Sequence, residues 1–357
     1  MKTAIVGLPM VGKSSLFTIL TGVHDSARIG AMEVRVGVAK VPDPRLGALA
    51  AIFQPPKVTH ATVEYLDSPA ISKESLREQS FLASLRVVDA FAHVLRVFDD
   101  DTVPHEKGSV DPVRDADDVD TELIISDLVV VEKRLERVDK DRKKIKSADL
   151  DREHELLIQC KALLEDGKPL RTLELSGAEE KLLRGFQFLS QKPMLYVLNL
   201  GEADAPKLHE VEEKFRSGPL GGRPQTGIAA VCGKIEAELA ELTGDDAREV
   251  MESYGLKEPG LDRVITGTYD LLGLMSFLTA GDTEVRAWTV RKHSRAQEAA
   301  GAIHSDFEKK FIRAEVVNWK DLVDGGGYSG LRGSNLLRLE GKDYIVKDGD
   351  VLVIRHS

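Results

Sequence analysis

Cysteine is nearly missing from this chain: there are two, Cys160 and Cys232, far apart and without CxxC spacing. That excludes a disulfide framework and a cysteine-based zinc site, and it fits a reducing compartment. No apolar run approaches the roughly 18 residues of a membrane-spanning helix, so no membrane association is expected. The first strand pattern begins at Thr3, which leaves no room for a secretory leader, and a cytoplasmic location is expected. Excess basic charge is lacking as well. The formal net charge of −10 argues against a uniformly basic nucleic-acid binder, although it leaves room for a local basic face. There are no internal repeats and no low-complexity tracts. With 42% hydrophobic and 30% charged residues over 357 positions, the chain reads as two or three globular domains.

What is present declares itself at once. Thr3-Ala4-Ile5-Val6 is a short buried-strand pattern, followed by Gly7-Leu8-Pro9-Met10-Val11-Gly12-Lys13-Ser14 and then by Ser15 to Leu20 with helical spacing. This is G-x-x-x-x-G-K-[ST] in its strand-to-helix context. Its glycines let backbone N–H groups face phosphates, its lysine reaches the β/γ-phosphates, and its serine hydroxyl serves Mg²⁺. Phosphate then sits at a helix N-terminus.

Further along, Met32–Val41, Thr62–Asp67 and Ala90–Phe98 read as strands, with helices over Leu46–Phe53 and Phe81–Val88. Such alternation predicts an α/β fold with a doubly wound, mostly parallel sheet. From Asp120 the texture changes. Ile124, Leu128, Val131, Leu135, Val138 and Ile145 follow 4,3 spacing, with Arg142 interrupting the seam, and Leu150–Leu164 supplies a second helix. An antiparallel helical hairpin is expected, with Lys140, Arg142, Lys143, Lys144 and Lys146 near its tip as a solvated end or a phosphate-backbone contact. Strands resume at Pro193–Asn199 and Gly227–Val231, so the hairpin is inserted within the sheet domain. From Leu274 short strands are expected over Glu284–Val290, Ile312–Val317, Tyr344–Val346 and Val351–Ile354, around a helix at Ala296–His304.

A metal-side acid is expected at the end of a neighbouring strand, and Asp67 is so placed. After a later strand comes Asn199-Leu200-Gly201-Glu202. Asn199 could anchor the phosphate loop or hydrogen-bond a base. Glu202 stands where guanine readers carry the shorter Asp, so guanine recognition should be degraded. His93, in an apolar strand, reads as a core residue; Ser72 and Ser75 have no companion base.

These residues resemble the YchF/Obg-like ATPase family within the translation-factor-related P-loop GTPases. The resemblance runs through Gly7–Pro9 with Val11–Ser14, Val41–Leu46, Val88–Ala90 with Ala92–Val94, Asn199–Glu202 and Lys234–Glu238. At the C-terminus it runs through Phe277–Trp288, Phe307–Lys309 with Phe311–Val316, and Leu339–Val351. It implies a P-loop G domain (1–118 and 191–273), an inserted helical hairpin (119–190) and a β-grasp TGS domain (274–357). It further implies ATP in preference to GTP, Mg²⁺, hydrolase activity and ribosome association, with RNA contact by the hairpin tip and TGS domain. A monomer is expected. The site implied consists of Gly7, Met10, Val11, Gly12, Lys13, Ser14, Ser15, Asn199, Leu200, Glu202, Cys232 and Gly233 for nucleotide, Lys13 for catalysis, and Ser14 with Asp67 for the metal.

The chain also departs from that family. Met10 replaces an Asn of the phosphate loop. Ala31 aligns with the switch threonine that ligates Mg²⁺ and senses the γ-phosphate. Asp67-Ser68-Pro69-Ala70 lacks the glycine of Asp-x-Ala-Gly, and Ser72–Gln79 shortens the segment beyond it. Where Ras-type GTPases place a water-orienting Gln the family already has a hydrophobic residue, and Ile71 fits that. Slow hydrolysis and weak coupling of the switches to nucleotide state are therefore expected.

Overall fold

The computed structural model describes residues 1–23, 34–72 and 74–357. In chain order the elements are β1 (Lys2–Val6), α1 (Lys13–Thr21), β2 (Arg35–Lys40), α2 (Pro44–Phe53), β3 (Val58–Thr59) and β4 (Thr62–Asp67). Next come α3 (Gln79–Arg86), β5 (Ala90–Arg96), α4 (Pro112–Arg142), α5 (Ala148–Glu165), α6 (Gly177–Leu183) and β6 (Met194–Asn199). They are followed by α7 (Leu208–Arg216), β7 (Thr226–Val231), α8 (Gly233–Glu241), α9 (Gly244–Ser253) and α10 (Gly260–Leu271). The chain closes with β8 (Leu274–Ala280), β9 (Val285–Arg291), α11 (Ala296–Ile303), α12 (Ser305–Lys309), β10 (Phe311–Asn318), α13 (Trp319–Asp324), β11 (Arg338–Glu340) and β12 (Asp350–His356).

Two compact units result: residues 1–38 with 64–271, and residues 39–63 with 272–357. In the first, six strands lie in the order β2-β4-β1-β5-β6-β7. The pairs from β4 through β7 are all parallel. Strands β5 and β6 are buried along their whole length, which is why they read as continuous apolar runs rather than alternating ones. Register places the ends of β1, β4 and β6 together at the carboxyl edge of the sheet, where ligands of open α/β sheets bind.

The hairpin forms as its spacing predicts, with Val131, Leu135, Val138, Leu157, Cys160 and Leu164 sharing one buried cluster. Two details differ. Helix α4 already begins at Pro112, where Asp111 caps the N–H groups of Val113 and Arg114. Ile145 is not in the seam: α4 ends at Arg142, and Ile145 lies in the turn at 59% exposure. The seam break at Arg142 is a surface ion pair, with its Nε 2.7 Å from Asp151.

The second unit carries another six-stranded sheet, ordered β11-β10-β12-β8-β9-β3. Strand β12 runs parallel to β8 between antiparallel partners, and Ala296 and Ala299 of α11 join its core, as in a β-grasp. The unit also contains what sequence reasoning assigned to the G domain. Residues 39–63 belong here, with β3 as an edge strand beside β9 and the loop before α2 tied in by Arg45, which bonds Asp43 and Asp348. Tyr344–Val346 is no strand, only a bridge between Ile345 and Arg295. Among the described residues, no helix is long and apolar enough to cross a membrane.

Candidate functional site

The loop between β1 and α1 is shaped by two glycines that a side chain could not replace. Gly7 has φ +144°, and a Cβ there would stand 2.6 Å from the Val94 carbonyl. Gly12, at φ +99°, would drive a Cβ to 2.5 Å from Asn199 Nδ2. Both positions need a residue without Cβ, for conformation and for space. Met10 also takes a positive φ, 59°, with its side chain 56% exposed, so the position contributes backbone rather than packing. Val11 is buried. Gly12 is the N-cap of α1, whose first turn holds no acidic residue, and Leu16, Phe17 and Leu20 bury its inner face. The uncompensated helix N-terminus favours an anion. Ser14 and Ser15 are exposed at that end.

Lys13 is buried and donates from Nζ to the Leu8 carbonyl at 2.6 Å. Burial lowers its pKa to about 8, against the opposing pull of the Asp67 and Glu106 carboxylates. An ammonium so poorly solvated has much to gain from a phosphate.

Asp67 ends β4 and is buried, with a divided environment. Its Oδ2 accepts from Arg35, through Nε at 3.2 Å and through Nη2. Its Oδ1 is buried with no hydrogen-bond partner among the described residues. An orphaned carboxylate oxygen is costly unless a cation or donor completes it, so Asp67 fits a metal-side role. The backbone that follows is tied down: Ser68 Oγ donates to the Ile5 carbonyl at 2.6 Å, and Ile71 N to the Gly7 carbonyl at 3.3 Å. Ser72 and Ser75 each accept from the other's backbone N–H through Oγ. Ala31 and Glu33 lie outside the described residues.

Asn199 has both ends of its amide occupied by protein. Nδ2 donates to the Val11 carbonyl at 3.0 Å, and Oδ1 accepts from Gly233 N at 3.1 Å. Of its two sequence-level readings, the anchor is the one the geometry supports. Leu200 is buried and donates its N–H to the Val231 carbonyl. Glu202 is half exposed, 3.5 Å from Lys234 Nζ. Cys232 is buried at the N-cap of α8, where burial raises its thiol pKa. The anchor therefore brings the phosphate loop together with the β6 and β7 loops.

His93 is fully buried in β5, and its ring lies 5.9 Å from that of Tyr196. Burial, with the charges of Lys13, Arg171 and Arg223, pushes its pKa down to about 3, so it is a neutral core residue. Sequence reasoning missed Arg96. It is almost fully buried at the end of β5, stacks on Phe98 and donates to the carbonyls of Phe98, Asp100 and Val103, which shapes the loop carrying Glu106. An arginine inside the apolar run Ala90–Phe98 was the available signal. His105, paired with Asp115 at 2.9 Å, was also missed, because the pairing crosses a loop without a spacing rule.

A parallel sheet whose first strand turns through a glycine loop into a helix with a buried lysine defines a P-loop nucleotide-binding protein. Full-length relatives specify the group. The ribosome-binding ATPase YchF of Bacillus subtilis is 41% identical over 362 residues, covering 99% of this chain and 98% of that one. Its Escherichia coli O157:H7 counterpart is 40% identical over 364 residues, covering 98% of each. The solved structure of the Schizosaccharomyces pombe YchF GTPase superposes with a TM-score of 0.81 at 28% identity, covering 99% of this chain and 97% of that one. The family model YchF-GTPase_C, described as a protein of unknown function, matches residues 274–357. The chain belongs to the YchF family.

Proposed function

We propose that this chain is an ATP-binding P-loop protein that takes its nucleotide with Mg²⁺, hydrolyses it slowly, and acts as a regulatory switch on ribosomes. The observation that carries the nucleotide reading is the pre-formed phosphate cradle. It consists of Gly7 and Gly12 at positive φ, buried Lys13, and Asn199 holding the loop from behind. Lys13 is the phosphate-binding and catalytic cation. Ser14 and Asp67 would hold Mg²⁺, which would neutralise phosphate charge, and the orphaned Asp67 Oδ1 fits that assignment. Glu202 in place of Asp supports ATP over GTP. Relatives named ribosome-binding ATPases support the partner and the hydrolysis. The exposed bases Lys140, Arg142, Lys143, Lys144 and Lys146 at the hairpin tip offer a face for ribosomal RNA. The inserted hairpin and the C-terminal module are kept as parts of the chain, with α4 starting at Pro112 and residues 39–63 grouped with the C-terminal unit.

Slow turnover follows from the segment after Asp67. Pro69 and Ala70 stand where a freely turning glycine would present its N–H, and the backbone is pinned on both sides by Ser68 and Ile71. That pinning also favours a second reading, a nucleotide-binding scaffold without productive turnover. Phosphate release measured with and without ribosomes, for the wild type and Lys13→Ala, separates the two. Release above the Lys13→Ala level supports the ATPase; equal release supports the scaffold. A preference for GTP in competition binding would contradict the role given to Glu202.

A further inference from the structure

We propose that Arg35 furnishes this nucleotide site with a built-in cation at Asp67, so that nucleotide binding depends far less on Mg²⁺ than it would with that carboxylate free. The proposal rests on the P-loop reading above and deepens it.

Arg35 opens β2, and its guanidinium is gripped from two sides. Nε and Nη2 both donate to Asp67 Oδ2, and the group lies 5.0 Å from the ring centroid of Phe17. Phe17 belongs to the helix that begins at Lys13, and it is fully buried. Arg35 therefore spans the acid-bearing strand and the phosphate-binding helix. Its side chain is 14% exposed and that of Asp67 8%, so water screens the pair weakly. Guanidinium stays charged at any working pH and is less strongly hydrated than ammonium, which suits it to a partly dry ion pair.

Two consequences follow. Without metal, an unpaired Asp67 carboxylate would repel the β/γ-phosphates; paired with Arg35, its charge is already offset. With metal, the ion finds only Oδ1 open, because Oδ2 is committed to Arg35. The same guanidinium thus raises metal-free affinity and lowers the gain that the metal adds. A guanidinium fixed this close to the Asp67 carboxylate repels a second cation approaching the same group, and weak screening by water keeps that repulsion large.

The test uses full-length protein and a fluorescent N-methylanthraniloyl derivative of ADP, titrated in excess Mg²⁺ and in EDTA. The readout is the ratio of the two dissociation constants. In the wild type the ratio should be small, about tenfold or less, and Arg35→Gln should raise it by about tenfold, chiefly by weakening binding in EDTA. Arg35→Lys should keep the ratio near wild type. In an Asp67→Asn background, Arg35→Gln should no longer change it. A folded Arg35→Gln variant with an unchanged ratio overturns the proposal, as does an equal rise in the Asp67→Asn background. If Arg35→Gln does not fold, the wild type decides: EDTA weakening binding by more than about a hundredfold also overturns it. Failure of the underlying site reading looks different, as binding that is absent in both buffers or indifferent to Lys13→Ala. Lys13-dependent binding whose ratio ignores Arg35 sinks this inference alone.

Discussion

Asn199 Nδ2 lies 3.0 Å from the Val11 carbonyl, and the same amide accepts from Gly233 N at 3.1 Å. One side chain at the end of β6 thereby holds the phosphate loop against the loop that opens α8. Because the amide donates at one end and accepts at the other, no isosteric residue serves both ends. Asn199→Asp keeps the acceptor for Gly233 but turns a carboxylate toward the Val11 carbonyl. It should weaken ATP binding by about tenfold and lower stability by about 1–3 kcal/mol. Nucleotide titration and urea denaturation check both; an Asp variant with wild-type affinity would show that the anchor is dispensable.

Lys13 spends its ammonium on the Leu8 carbonyl in the free protein, at 2.6 Å. Phosphate replaces that neutral acceptor with a charged one, so Lys13→Ala should cost about 2–4 kcal/mol of binding, on the order of a hundredfold. Removing a buried cation whose bond is to a single loop carbonyl should cost the fold little, and the melting temperature should change by no more than a few degrees. Calorimetric titration beside a thermal melt separates the two effects. Parallel losses of stability and affinity would contradict it.

Asp127, fully buried on α4, accepts from Leu189 N at 3.0 Å and Ser190 N at 2.7 Å, which fastens the hairpin base to the loop entering β6. Asp127→Ala leaves two buried N–H groups unpaired and should destabilise the protein by about 2–4 kcal/mol. Asp127→Asn keeps an acceptor and should cost less. Burial raises the Asp127 pKa above the ordinary carboxylate value, despite the two hydrogen bonds. The folded state therefore holds its proton more tightly than the unfolded state. Through the window between the two pKa values, this group's contribution to stability falls as pH rises. Denaturation curves across that window should show a component that Asp127→Asn lacks.

The hairpin tip offers a test of ribosome association that is independent of nucleotide. Reversing Lys143, Lys144 and Lys146 to Glu changes exposed groups at the end of α4 and the turn beyond it. Co-sedimentation with ribosomes should fall and its salt dependence flatten, while ATP affinity stays unchanged. Undiminished co-sedimentation would move the contact elsewhere on the molecule.

Local chemistry was readable wherever one stretch of chain suffices to express it. The phosphate loop follows from two glycines, a lysine and a serine at fixed spacing between a strand and a helix. The hairpin follows from 4,3 periodicity. What escaped was long-range or charged. Arg96 and His105 are held by loop carbonyls and by Asp115, partners that no periodicity indicates. Ile145 fits the heptad on paper, but α4 ends three residues earlier, and an apolar residue past the last turn has no facing helix.

Sequence alone therefore indicates the glycine loop between strand and helix, the alternation around it and the helical hairpin, because φ > 0 glycines, side-chain periodicity and caps act over a few residues. Tertiary structure decides what those elements meet. It assigns residues 39–63 to the C-terminal unit through the β3–β9 pairing, and it resolves Asn199 into an anchor by filling both ends of its amide. It also brings Arg35 onto Asp67, across 32 residues of chain. Hydrogen bonds and ion pairs depend on distances in space, and only the packed sheet makes those distances short.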